Sequence, residues 1–380
     1  MFLVRLAMSC PVPLLLPDEC KQVLLALRSC KVLSLVSQAV ATYLWSFDWV
    51  FVASRDGYLR ILFDGVSVVY MRHFRSAVWC LCYAWGNLYV SLYDRGLVAL
   101  PLSEHLPQRH EFVGHYTFLC LCSTSDGVCA GAYNGLVYLF SPNLERLRVV
   151  DLHPLGGFAR QVYCCLPALE NVLLGCERGS LHRLSALSSV SSTRNDVVKS
   201  FSSAIFCLRF TSDGSLLCAG LEDDVDVSCA TSYTSIFRIP CATSVWSISA
   251  RPGSDVVAFG LRFNGIAIVR LHAEAILRGR DRRASDDAFY SVQCLYTEIG
   301  TCSAISHATN GKNGNWYAAS NRSRIYTCSA GGTISSSLVA WPVQESEDHG
   351  RVPRRDIYDV LVISNVSVFD HPSLLVQTDS

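Results

Sequence analysis

A short polar turn built from Asn, Asp, Glu, Arg and Gly recurs seven times along the chain, each time between two apolar runs. The clearest copy is Val256–Leu261, then Phe263-Asn264-Gly265, then Ile266–Val269. Asn and Gly tolerate the positive φ of a tight hairpin, and β-branched residues on either side favour strands. The other copies are Asp56-Gly57, Asp94-Arg95-Gly96, Asn134-Gly135, Glu177-Arg178-Gly179, Glu222-Asp223-Asp224 and Asn321-Arg322-Ser323. They follow one another at a step of about 40 residues, a repeat-protein period, with one longer gap before the last. A second element keeps phase with them, upstream of its turn: Val78-Trp79-Cys80-Leu81, Phe118-Leu119-Cys120-Leu121, Val162-Tyr163-Cys164-Cys165, Ile205-Phe206-Cys207-Leu208 and Val245-Trp246-Ser247-Ile248. Val245–Val269 therefore reads as strand, an Arg251-Pro252-Gly253 turn, strand, the Asn264-Gly265 turn, and strand.

Several strands per unit of that length are the signature of a WD40-type propeller, four strands to a blade. A blade alone cannot bury both of its faces, so blades stack in a ring, and their inner strands become apolar nearly throughout. The expected fold is all-β, a single seven-bladed WD40-type β-propeller with blades over roughly residues 30–340. A pair of two-sheet β-sandwiches is the alternative. A terminal strand should close the first blade and remove its exposed edge, either within 357–368 or near Lys31–Ser37. The Arg-rich segment Ala273–Ala288 reads as a loop or exposed helix between blades six and seven, and Thr301–Asn315 as a loop insertion within blade seven.

Composition narrows the function classes. Half of the residues are hydrophobic and 17% are charged, enough for a large core and too apolar for disorder. Lys plus Arg and Asp plus Glu both number 32, so no bulk field draws nucleic acid or an anionic membrane, and neither is expected as a partner. Met1–Leu16 is apolar but broken by Arg5, Pro11 and Pro13, and is shorter than a membrane span. There are eighteen cysteines, and many sit inside apolar strand-like runs, where Cys behaves as a small hydrophobe. Cys80 and Cys82, like Cys120 and Cys122, are spaced to face one way on a strand. Core thiols imply a reducing compartment, so a cytoplasmic location is expected; the protein is also expected to be a monomer. Asn321-Arg-Ser323 and Asn365-Val-Ser367 fit glycosylation sequons, which that location would leave unused.

No Walker loop, GxGxxG, HExxH or GxSxG occurs, and none of the ten histidines forms a metal-spaced pair, so no cofactor or metal is expected. The densest acidic cluster is Glu222-Asp223-Asp224-Val225-Asp226. It is either a solvated hairpin tip or a set of carboxylates at the ring's mouth, acting as general base or orienting a His. His153, just ahead of a blade, is either a structural His hydrogen-bonded within that blade or a catalytic group. Trp45, Asp48, Trp49, Trp79 and Trp246 either line a channel or fill the core.

From about His153 onward the chain resembles one WD40 family, the diphthine methyl ester hydrolases. The resemblance rests on Val245-Trp246-Ser247-Ile248, on Phe263-Asn264-Gly265-Ile266-Ala267-Ile268-Val269 and on Asp286-Asp287-Ala288-Phe289-Tyr290-Ser291. Gly220-Leu221-Glu222-Asp223-Asp224 stands where that family has a Gly-Ser-Tyr-Asp-Glu turn. The resemblance implies a carboxylic ester hydrolase of diphthamide biosynthesis, acting on modified translation elongation factor two. Asp223, Asp224 and His153 would then be the catalytic candidates. The competing function is a non-catalytic scaffold that presents loops and blade edges to partner proteins.

Overall fold

The structure is a computed structural model that describes residues 48–63, 67–101, 110–152, 161–168, 170–185, 194–272, 276, 289–297, 302–307, 315–320, 324–328, 334–338 and 357–364. Its strands form seven antiparallel four-stranded sheets, so the expected seven-bladed β-propeller is the observed fold. The first blade contains β1 (Asp48–Ser54), β2 (Tyr58–Phe63) and β3 (Ser67–His73), and the second β4 (Val78–Ala84), β5 (Asn87–Leu92), β6 (Gly96–Pro101) and β7 (His110–Val113). In the third are β8 (Phe118–Ser123), β9 (Val128–Ala132), β10 (Leu136–Phe140) and β11 (Arg146–Asp151). The fourth comprises β12 (Val162–Ala168), β13 (Asn171–Cys176), β14 (Ser180–Ser185) and β15 (Arg194–Ser200). The fifth has β16 (Cys207–Phe210), β17 (Leu216–Gly220), β18 (Asp224–Cys229) and β19 (Ser235–Pro240). The sixth runs through β20 (Val245–Ala250), β21 (Val256–Leu261), β22 (Gly265–Leu271) and β23 (Tyr290–Tyr296). The seventh takes β24 (Cys302–His307), β25 (Trp316–Ser320), β26 (Arg324–Cys328) and β27 (Ile334–Leu338).

The last strand, β28 (Ile357–Ser364), pairs antiparallel with β1 and becomes the innermost strand of the first blade. It touches both β24 and β4, so the ring closes through the far end of the chain. Of the two closing segments expected, 357–368 supplies the strand through its residues 357–364, the rest of it lying outside the described residues together with Lys31–Ser37.

Two expectations need correction. Residues 273–288 join β22 to β23, which share a sheet, so this segment interrupts blade six rather than linking blades six and seven. Residues 301–315 are not all insertion, because Cys302–His307 is the innermost strand of blade seven, paired along β25. Its sequence, Cys-Ser-Ala-Ile-Ser-His, is small and polar enough to hide a strand whose neighbours supply the burial.

Six of the recurrent turns sit between the second and third strands of their blades, with Gly57 at φ 84° and Gly265 at φ 76°, and Asn321-Arg322-Ser323 lies outside the described residues. The buried apolar residues fall into seven clusters, one between each pair of adjacent blades. Cysteine serves in these interfaces as expected. The Cys80, Cys120, Cys164 and Cys207 thiols are buried and point at the carbonyls of Phe118, Val162, Ile205 and Val245, the first positions of the next blade, at 3.5, 3.5, 3.7 and 3.3 Å. Burial pushes the Cys80, Cys164 and Cys207 thiols well up, which keeps them as donors.

Candidate functional site

Each innermost strand begins beside the turn of its own blade: Val78 is in register with Leu92, Val162 with Cys176 and Val245 with Leu261. A register shift follows at once, between Val78 and Leu81, Phe118 and Cys120, Val162 and Cys164, and Val245 and Ser247. A bulge of this kind leaves a residue out of the ladder and re-aims its side chain. The residues so placed are Trp79, Leu119, Tyr163 and Trp246, and Phe206 occupies the same place just ahead of β16. All five are half-buried in five consecutive blades.

The turns add a second tier. Tyr93, Tyr133 and Phe263 are 54%, 58% and 63% exposed, large values for aromatic rings. Trp79 lies 6.1 Å from Tyr93, and Tyr163 stacks on Phe206 at 5.4 Å. The Arg262 guanidinium spans Trp246 and Phe263, at 5.2 and 5.0 Å from the ring centres. Burial raises the Tyr163 hydroxyl, and the charges of Glu177 and Tyr133 add to the rise. The turn-bearing face therefore carries an aromatic collar. Arg55 and Arg95 stand on its first two blades, Glu177 and Glu222 on the fourth and fifth. Of the tryptophans considered from sequence, Trp79 and Trp246 belong to this collar, whereas Trp49 is buried in the core between blades one and two. Trp45 and the Asp48 side chain lie outside the described residues.

The acidic cluster is split by the fold. Glu222 and Asp223 are exposed at the β17–β18 hairpin tip, on the turn-bearing face, and the Asp223 carbonyl accepts the Cys241 amide at 2.8 Å. Asp224 receives Arg238 Nη1 on Oδ2 at 3.1 Å, and its Oδ1 is buried without a hydrogen-bond partner. Burial lifts its carboxyl above the usual range, with Arg238 pulling the other way and Asp223 adding to the rise. Asp226 does not belong at the mouth at all. Its carboxylate is fully buried between blades four and five, where it accepts Lys199 Nζ at 2.6 Å, Ser235 Oγ at 2.5 Å and Ser228 Oγ. Lys199 also reaches Ser228 and Ser235, each at 2.6 Å, so this is an interblade clamp.

His153 lies outside the described residues. A structural His does occur one blade segment later, where His182 is buried and shares hydrogen bonds with Asn195 at 2.9 Å and Ser180 at 3.1 Å. Among the described residues no group of three or more His, Cys, Asp or Glu side chains could hold a metal ion. The collar itself was not singled out from the sequence. The signal was there: the residue after the second strand of a blade is aromatic in two blades, and the residue after the first innermost position is large and apolar in five.

No protein-family model matches the sequence, and no curated protein is significantly similar to it. Solved structures do resemble it. The RRP9 WD40 repeats are 12% identical with a TM-score of 0.58, over 72% of this chain and 83% of that one. U3-55K is 12% identical with a TM-score of 0.56, over 72% and 84%. A chain of the mitotic checkpoint complex is 14% identical with a TM-score of 0.56, over 76% and 83%. At such identity the likeness establishes the fold alone, that of a WD40-type seven-bladed propeller.

Proposed function

We propose that this propeller is a protein-interaction platform that binds partners through the aromatic collar on its turn-bearing face. The observation that carries the reading is the set of bulged residues Trp79, Leu119, Tyr163, Phe206 and Trp246, rimmed by exposed Tyr93, Tyr133 and Phe263. Trp and Tyr lead among the residues that dominate binding energy at protein interfaces, and apolar rings left in water gain most from being covered. Membership of a named assembly in the mitotic checkpoint structure is consistent with such a role.

The test substitutes the exposed rings, Tyr93→Ser, Tyr133→Ser and Phe263→Ser together, and compares partners recovered by quantitative affinity proteomics. Because these side chains support no core cluster, the melting temperature should stay within a few degrees. Partners held by the wild type should fall at least about tenfold with the triple variant, as expected for lost aromatic anchors. They should persist with Trp85→Ser, which alters the opposite face. Retention by the first variant and loss by the second would reverse the assignment of faces. The same reading places the protein in the cytosol, because no disulfide joins its described cysteines and that suits a reducing compartment, and takes it as a monomer. A fluorescent fusion in a secretory compartment, or a light-scattering mass of two chains, would contradict that.

A second reading is the ester hydrolysis implied by the diphthine methyl ester hydrolase resemblance. What favours it is Asp224, whose carboxyl is lifted by burial and keeps one oxygen without a partner beside the face's mouth. Incubation with methylated-diphthine elongation factor two should then release methanol, and Asp223→Ala with Asp224→Ala should abolish it while the protein stays folded. No methanol from the wild type ends this reading and leaves the platform untouched.

A further inference from the structure

A groove of about 580 Å³ opens on the turn-bearing rim between blades one and two. Its walls come from the end of β3 and the loop after it, from the Asp94-Arg95-Gly96 turn, and from β7 with the loop that follows. Arg72, Arg75 and Arg95 line it, with His73 and His115, against the two carboxylates of Asp94 and Glu111. Arg75 and Arg95 are exposed, and neither takes part in an ion pair among the described residues. Arg72 is held over the Phe74 ring at 5.2 Å, while the Asp94 carboxylate faces His115 at 3.7 Å rather than an arginine. Arg75 also sits at φ 55°, a left-handed conformation costly for a side chain of its size, so the loop displays it against a local preference. Apolar residues, Phe74, Phe112 and Val113 among them, line the rest of the groove, and Val113 is 78% exposed.

We infer that this groove binds a phosphoserine or phosphothreonine segment of a partner protein. Guanidinium forks match the oxygens of a phosphate dianion in number and geometry, and charge-assisted bonds of this kind are the strong ones. Three unsatisfied or ring-stacked guanidiniums around one groove suit a doubly charged group better than a single carboxylate. The apolar wall accepts side chains next to the phosphorylated residue, and Asp94 and Glu111 accept a cationic one. The same two carboxylates, with the chain's balanced 32 and 32 charges, disfavour the polyanionic backbone of a nucleic acid. The groove uses none of the collar's rings, so the inference stands or falls separately from the function proposed above.

The experiment is fluorescence anisotropy with three labelled probes. They are a degenerate nonapeptide library centred on phosphoserine and phosphothreonine, its unphosphorylated counterpart, and a single-stranded oligonucleotide. Wild-type protein should bind the phosphorylated library, at least about tenfold more tightly than the unphosphorylated one, with binding that weakens as salt rises. Inorganic phosphate at high concentration should compete. Arg75→Ala with Arg95→Ala should lose at least about tenfold in affinity with an unchanged melting temperature, since neither side chain is buried or paired. Equal binding of the two peptide libraries, no binding of either, unchanged affinity in the double variant, or tighter binding of the oligonucleotide would each overturn the proposal.

Discussion

Asp226→Ala should cost the protein about 3–5 kcal/mol, the range for removing one member of a buried ion pair. The carboxylate is fully buried, and its loss strands Lys199, whose side chain is only 14% exposed, between the hydroxyls of Ser228 and Ser235. The damage is unpaired charge more than lost attraction, and that distinction is measurable. Lys199→Met in the Asp226→Ala background should restore a large part of the stability in urea unfolding, although Lys199→Met alone destabilises. A double variant no more stable than Asp226→Ala would show that the clamp does not work through the Lys199 charge. Blades four and five meet at this clamp, so its failure should lower cooperativity and flatten the slope of the transition.

Gly175→Ala should destabilise by about 1–3 kcal/mol or more, the usual cost of forcing an extra methyl into a packed core. A Cβ at this position would lie 2.5 Å from the Cys164 sulfur and 2.6 Å from Ile205 Cγ2. One neighbour is the same blade's innermost strand, and the other is the first residue of the next blade. The bare backbone at Gly175 is therefore what lets blade five approach blade four. Gly131 stands in the same relation to Cys120 and Val162, each at 2.6 Å, so the device repeats around the ring. Thermal unfolding of Gly175→Ala and of Gly175→Ala with Cys164→Ala checks the cause. Removing the sulfur should recover part of the loss and leave the rest, because Ile205 Cβ remains 2.9 Å away. A melting temperature unchanged by Gly175→Ala would contradict the packing described here.

The architecture was legible because three local signals agreed. Turn residues, apolar runs and the in-phase Val-Trp-Cys-Leu type quartets all carry one period, and each quartet proves to open an innermost strand or to run into its start. What the sequence hides is set by distant partners. Glu222, Asp223 and Asp226 look equivalent in one acidic run. Lys199, 27 positions upstream of Asp226 and on the outermost strand of another blade, buries the last and leaves the first two in water. The Cys302–His307 strand escapes notice because its burial comes from β25 and its neighbours rather than from its own residues. The collar escapes notice for a different reason. Tyr93, Tyr133 and Phe263 look like isolated turn residues until the ring brings their blades onto one face.

Hydrogen exchange followed by mass spectrometry tests ring closure most directly, because it reports on β28 within the intact protein. A ring closed by the C-terminal strand predicts that peptides covering 357–364 and 48–54 are both strongly protected, and that both lose protection together in mild denaturant. Exchange of 357–364 at unstructured rates, while the other innermost strands stay protected, would contradict a closed seven-bladed wheel.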